Sequence, residues 1–156
     1  METEVMKALS ERGVPFVVKK HRKKVFTCED AARERGVKIS QIVKTMVGKD
    51  DKGTYHVCLI PGDKILKLKK VRKKAGGVRI DLVDPKELAK ELGFTVGAIS
   101  PLIFPKGTKF YIDPTVLNET YVDISSGDPA AGIELLANDL VKIVNGKICD
   151  IISSNP

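Results

Sequence analysis

Tryptophan is absent from this chain, aromatic residues make up only 5% of it, and no long uncharged apolar run occurs. So few rings argue against a single-strand nucleic-acid binder that works by stacking bases on aromatic faces. Without an apolar run of about twenty residues, no membrane-spanning helix is expected. No basic-then-apolar leader precedes the first helix-like segment, which makes a cytoplasmic protein the expectation. Cysteine is scarce and odd in number, with Cys28, Cys58 and Cys149 lacking any CxxC spacing. They read as buried free thiols of a reducing compartment rather than a disulfide framework. Two scattered histidines, His21 and His56, are too few for a zinc site.

What is present suits a folded domain. With 156 residues, 42% hydrophobic and 30% charged, the chain has globular values and enough length for one domain, 1–156, with its own core. The net charge of +7 is unevenly placed. Residues 109–156 hold three lysines against seven acids, a net of −4, so the first 108 residues carry +11. A basic region of this size suits a polyanionic partner, because each phosphate it neutralises releases counterions. A Lys- and Glu-rich chain with a single glutamine also fits a heat-adapted surface.

Periodicity and punctuation outline the elements. Residues 2–12 place Val5, Met6 and Leu9 on one helical face, ended by Gly13. A strand is expected over 14–18, then a basic loop over 19–24. Thr27 and Asp30 form a capping pair for a helix over 28–35, closed by Gly36. Strands at 42–47 and 54–60 flank a turn at Asp50-Asp51-Lys52-Gly53. A helix over 64–75 turns Ile65, Leu68 and Val71 inward and stops at Gly76-Gly77. A strand at 78–83 precedes Asp84-Pro85-Lys86-Glu87, which reads as cap, first-turn proline and capping-box acid of a helix ending at Gly93. Further strands are expected at 110–112, 121–124, 132–136 and 147–152, with a short helix over 138–143. Short strands and unequal helices do not make a regular βαβ array. The expected class is α+β: one compact domain around a curved, mixed, barrel-like sheet with surrounding helices.

Three segments are chemically unusual. In Gln41-Ile42-Val43-Lys44-Thr45-Met46 a lysine interrupts a run that otherwise reads as a buried strand, sharing a face with Ile42 and Met46. An ammonium there needs a partner or a wet cleft; an edge strand facing solvent would serve as well. In Gly97-Ala98-Ile99-Ser100-Pro101, glycine permits a close ligand approach and proline fixes the exit, or the segment is a plain turn. In Ser125-Ser126-Gly127, followed by Asp128-Pro129-Ala130-Ala131-Gly132, small residues leave room and free N–H groups, as in an oxyanion hole, or form a loose loop. A serine nucleophile is not indicated: there is no GxSxG elbow. Lys64, Lys67, Lys69, Lys70, Arg72, Lys73 and Lys74 crowd one helix at a density that suits phosphate contacts, although a solvated helix would look similar.

Taken in order, the Val-Lys-Thr strand, the Lys67–Val71 helix, the Gly97–Pro101 loop, the Ser-Gly turn and Ile133-Glu134-Leu135 resemble the YbaK/ProX family of freestanding editing domains. The resemblance spans nearly the whole chain and is strongest over residues 41–140. It implies an α/β domain with a pocket for the aminoacyl-adenosine end of tRNA, and an activity that hydrolyses mischarged aminoacyl-tRNA. It implies no metal and no cofactor. Lys44 and Gly127 are the implied catalytic positions. Gly97, Ser100, Pro101 and Ser126 are expected to shape the substrate pocket, with His21 and Thr27 as further pocket residues. Lys67, Lys69, Lys70, Arg72 and Lys73 are the expected tRNA contacts. The implied partners are an aminoacyl-tRNA, Ala- or Cys-tRNA(Pro), and prolyl-tRNA synthetase; no membrane or DNA partner is expected. Bacterial Cys-tRNA(Pro) deacylases of this type tend to carry tyrosine where His21 falls and aspartate where Gly132 falls, so their specificity does not carry over directly. A non-catalytic tRNA-binding or synthetase-associated module is the alternative.

Overall fold

The computed structural model describes residues 2–154. Two sheets share the main core. One is five-stranded and mixed, in the order β4-β2-β3-β5-β8, built from β2 (Val43–Asp50), β3 (Tyr55–Pro61), β4 (Ile80–Leu82), β5 (Lys109–Ile112) and β8 (Lys147–Ile148). The other is antiparallel, in the order β1-β7-β6, from β1 (Val17–Lys20), β6 (Tyr121–Ser125) and β7 (Ala131–Leu136). The single mixed sheet expected from sequence is therefore two sheets, and they do not close into a barrel. A lone parallel bridge between Ile42 and Asp123 joins them.

Alternation in the strands decides what each face does. Val122 and Ile124 of β6, with Ile133 and Leu135 of β7, enter the core beside Val43, Val47, Val57 and Leu59 of the larger sheet. The opposite face of the small sheet is polar and carries Lys19, Asp123, Ser125 and Glu134, with Gly132 directly across from Ser125. Central strand β3 is buried on both faces, so it reads as a continuous apolar run. Its second face meets Val71, Ile80, Tyr111 and Ile151 in a smaller cluster.

Among the described residues, five helices surround the sheets: α1 (Glu4–Glu11), α2 (Cys28–Arg35), α3 (Leu68–Lys74), α4 (Pro85–Leu92) and α5 (Ala137–Val144). Helix α1 buries Val5, Met6 and Leu9 as its spacing predicts. Thr27 caps α2 by accepting from the Asp30 N–H at 3.1 Å, and Gly36 closes it in the left-handed conformation. Asp84 caps α4 through the Lys86 N–H rather than in a reciprocal box with Glu87. Short 3-10 turns at Ile39–Gln41 and Pro114–Asn118 were not foreseen.

Three boundaries differ from expectation for tertiary reasons. Lys19 and Lys20 belong to β1, because they pair with Gly132 and Ala131. Helix α3 starts at Leu68, four residues late: Leu66 bridges Ile152 and the Lys67 N–H donates to the Ile151 carbonyl. Ile65 consequently faces solvent, 61% exposed, instead of turning inward. The same pairing with 66–67 ends β8 early, so the strand expected over 147–152 is only two residues long. Among the described residues no helix is long and apolar enough to cross a membrane.

Candidate active-site cleft

The start of β2, the start of α2, the 96–99 loop and the end of β6 surround a cleft of about 260 Å³. Its polar lining comes from Thr27, Cys28, Arg35, Lys44, Thr45 and Ser125, set among apolar residues that include Phe26, Ile42, Val96 and Ile99. Pockets for drug-sized ligands run from roughly 300 to 1,000 Å³. This cleft is smaller, so it suits a small group rather than a drug-sized molecule.

Lys44 is half-buried at the beginning of β2, beyond the reach of β4, whose pairing covers only Gly48 to Asp50. The strand run that looked buried is thus an edge where the lysine emerges. Its Nζ donates to the Lys64 carbonyl at 2.8 Å. That bond fixes the ammonium at the cleft wall and spends one of its three donors.

Gly97 adopts φ +85°, and a Cβ there would overlap the Phe26 ring. Glycine is required on both counts, and the close contact holds the 96–99 loop against the wall carrying Phe26. Ser100 and Pro101, in contrast, are buried behind the loop. Ser100 Oγ accepts from the Leu102 N–H at 3.2 Å and shapes the turn from within.

The Ser125–Gly127 turn divides. Ser125 faces the cleft, while Ser126 is fully buried and donates to the Ala131 carbonyl at 2.6 Å. Gly127 sits at φ +95° and its N–H donates to Ser125 Oγ at 3.2 Å. Asp128 N–H is likewise taken by Ser126 Oγ, and Ala130 N–H by the Asp128 carboxylate. The free N–H nest expected here is therefore largely satisfied from within, and what it presents to the cleft is an oriented Ser125 hydroxyl. Ser100, Ser126 and Gly127 line a separate hollow of about 170 Å³ beside α1.

Thr27 lies on the cleft wall as the α2 cap. His21 lies outside the cleft lining: its Nδ1 is 2.6 Å from the Lys23 carbonyl and its backbone N–H pairs with Ala130. Lys64, whose carbonyl holds Lys44, lies in the segment that leads into the basic helix α3. Lys67, Lys69 and Lys73 are exposed on it. Lys70 is tied to Asp150 and the Ile152 carbonyl, and Arg72 to Asp81 and the Ile80 carbonyl, so these two anchor α3 as well as carrying charge.

Sequence reasoning missed Arg35 and named Ser126 for the pocket, whereas Ser125 is the serine that lines the cleft. Burial lowers the Arg35 guanidinium's pKa, and the nearby Asp123 opposes that shift. Burial also pushes the Cys28 thiol up despite Lys44 nearby, so it is not poised as a thiolate nucleophile. Among the described residues no group of three or more His, Cys, Asp or Glu side chains is arranged to hold a metal ion.

A family model for the aminoacyl-tRNA editing domain matches residues 22–143. A protein of Enterococcus faecalis, provisionally named a Cys-tRNA(Pro)/Cys-tRNA(Cys) deacylase, is 25% identical over 152 residues, covering 96% of this chain and 93% of the relative. Proline–tRNA ligase of Fervidobacterium nodosum is 32% identical over 92 residues, 59% of this chain but 16% of the ligase. Among solved structures, a hypothetical protein superposes with TM-score 0.88 at 27% identity, covering 96% of this chain and 99% of that one. A second, described as a provisional trans-editing enzyme for prolyl-tRNA synthetase, superposes with TM-score 0.83 at 25% identity over 96% of this chain and 95% of that one.

Proposed function

The chain belongs to the family of aminoacyl-tRNA editing domains, and from that premise we propose that it hydrolyses the ester of a mischarged aminoacyl-tRNA in trans, with alanyl or cysteinyl groups on tRNA(Pro) as the substrates. The observation that carries this reading is the convergence of Lys44, Gly97 and Ser125 on one small cleft, with Lys44 bonded to the segment that leads into a lysine-rich helix.

An aminoacyl ester is already activated, so orientation and charge stabilisation suffice. Lys44 is assigned to the terminal phosphate or ribose at the mouth, with its two remaining donors. Gly97 keeps the loop close to Phe26 and so sets the width of the aminoacyl pocket. Ser125, oriented by the Gly127 N–H, offers its hydroxyl to the carbonyl. Gly127 thus acts as a positioning residue. Ser100, Pro101 and Ser126 hold the two loops in shape from behind. Lys67, Lys69 and Lys73 carry the tRNA backbone. In the reaction, water adds to the carbonyl carbon, either at the ester itself or at the cyclic acyl product left when a group of the substrate has first displaced the ribose oxygen. The ribose oxygen leaves with a proton, giving free amino acid and uncharged tRNA. Small size alone discriminates weakly between alanyl and prolyl groups, which is the circumstance in which separate editing sites are used.

The test is a deacylation panel of Ala-tRNA(Pro), Cys-tRNA(Pro) and Pro-tRNA(Pro). Cleavage of a mischarged species with Pro-tRNA(Pro) spared supports the reading. Salt-sensitive tRNA binding without cleavage of any charged species would replace it with the binding-module alternative.

A further inference from the structure

Arg35 closes the floor of the cleft in an unusual way. It projects from the last turn of α2 onto the polar outer face of the small sheet, where its guanidinium lies against Gly132. A Cβ at Gly132 would overlap Nε, Cζ and one terminal nitrogen of the guanidinium, so a side chain there would push this end of Arg35 aside. Gly132 is directly opposite Ser125 on paired strands, which places the guanidinium beside the one serine that faces the cleft.

Arg35 is also unspent. Its Nε is buried without a hydrogen-bond partner among the described residues. Asp123, on the same face two residues before Ser125, draws the guanidinium by charge; its two carboxylate oxygens also lack hydrogen-bond partners among the described residues. Lys19 Nζ stands 3.7 Å from that carboxylate and pairs with Glu134 as well. A half-buried guanidinium whose Nε is buried without a hydrogen-bond partner among the described residues carries a cost that an incoming acceptor would relieve. No carboxylate lines the cleft itself. The missing partner is an acceptor, not a cation.

We propose that Arg35 is a substrate-contacting residue whose guanidinium donates to an oxygen of the aminoacyl group, and that Gly132 is the cradle that lets it reach there. This rests on the deacylase reading above. The oxygen is either the ester carbonyl, common to every charged tRNA, or a side-chain oxygen of the amino acid.

Wild type, Arg35→Ala, Arg35→Lys and Gly132→Ala are compared by kcat and KM on Ala-tRNA(Pro), Cys-tRNA(Pro) and a Ser-charged tRNA(Pro), with thermal melting to confirm folding. Gly132→Ala keeps the charge but pushes the guanidinium aside. The expected result is a loss in kcat/KM on the order of 10² in Arg35→Ala and Gly132→Ala, partly restored in Arg35→Lys. A loss of kcat equal across the substrates assigns the contact to the carbonyl; a loss confined to the seryl substrate assigns it to the side chain. Folded variants with wild-type kcat and KM on a cleaved substrate overturn the proposal and leave the deacylase reading intact. If wild type cleaves nothing, titration with amide-linked 3′-alanylamino- and 3′-serylamino-adenosine decides separately. Weaker binding in Arg35→Ala supports the contact, and equal binding or none in wild type overturns it.

Discussion

The Lys44 ammonium donates to the Lys64 carbonyl at 2.8 Å, joining the candidate cleft to the segment that leads into the basic helix. One side chain thereby belongs both to the pocket and to the surface that would meet the phosphates. A charged group at a strand edge, tethered to a neighbouring loop, can be removed without opening the core, since Val43 and Val47 on the other face of β2 carry the packing.

Gly97→Ala should be damaging in two ways. Positive φ at a non-glycine residue costs about 1–3 kcal/mol. The added Cβ also displaces Phe26 and narrows the cleft. Deacylation is expected to fall more than stability would explain, read as a raised KM in protein that still melts cooperatively. Unchanged KM would detach the loop from substrate binding.

Far from the cleft, His56 is buried between Asp50 and Tyr111, with Nε2 2.8 Å from the carboxylate and Nδ1 2.8 Å from the tyrosine hydroxyl. With Asp50 ionised, Nε2–H donates and Nδ1 accepts from Tyr111. Asp50 is held below the usual carboxylate range chiefly by the histidine bond. His56→Ala strands both partners, so a loss of about 3 kcal/mol in urea unfolding is expected, with kcat of the remaining folded enzyme unchanged. A selective loss of kcat would show that this chain of bonds reaches the active site.

Asp123 makes a pH prediction. Burial, joined by the neighbouring Glu134 carboxylate, pushes its carboxyl up to about 6 from an ordinary 3.8, against the pull of Lys19 and Arg35. Between those values the folded chain holds a proton that the unfolded chain has released, so this group lowers stability as pH rises from about 4 to 6. Asp123→Asn removes that trend. The stability of the variant relative to wild type should therefore climb over that interval and level off above it, in urea unfolding at stepped pH. A difference that stays flat would place the titration elsewhere.

The lysines on α3 divide by exposure. Lys69→Glu and Lys73→Glu should weaken tRNA binding and flatten its salt dependence by roughly one unit of slope for each lost phosphate contact. Lys70 is a poor probe, because its bonds to Asp150 and Ile152 mix stability with charge. An unaltered salt slope in the double variant would move the RNA track off this helix.

Local signals made much of this architecture readable. Thr27 and Gly36 bound α2, and Asp84-Pro85 with Gly93 bounds α4, because caps act within a few residues of the chain. The start of α3 was not readable, since it is set by the distant segment around Ile151 and Ile152. The same limit applies to the site. Lys44 and Gly97 stood out as a charge and a glycine in apolar runs. Which of Ser125 and Ser126 faces the cleft depends on strand parity, which adjacent identical residues cannot reveal. Arg35 looked like any basic residue in a last helical turn until Gly132, nearly a hundred residues on, was placed beneath it.

The most direct test is single-turnover deacylation of Ala-tRNA(Pro) and Cys-tRNA(Pro) by wild type and Lys44→Ala, with melting curves for both. The expected result is cleavage by wild type, loss of at least about 10²-fold in the variant, and closely similar melting. A folded Lys44→Ala protein that cleaves at the wild-type rate would contradict the assignment of this cleft as the active site.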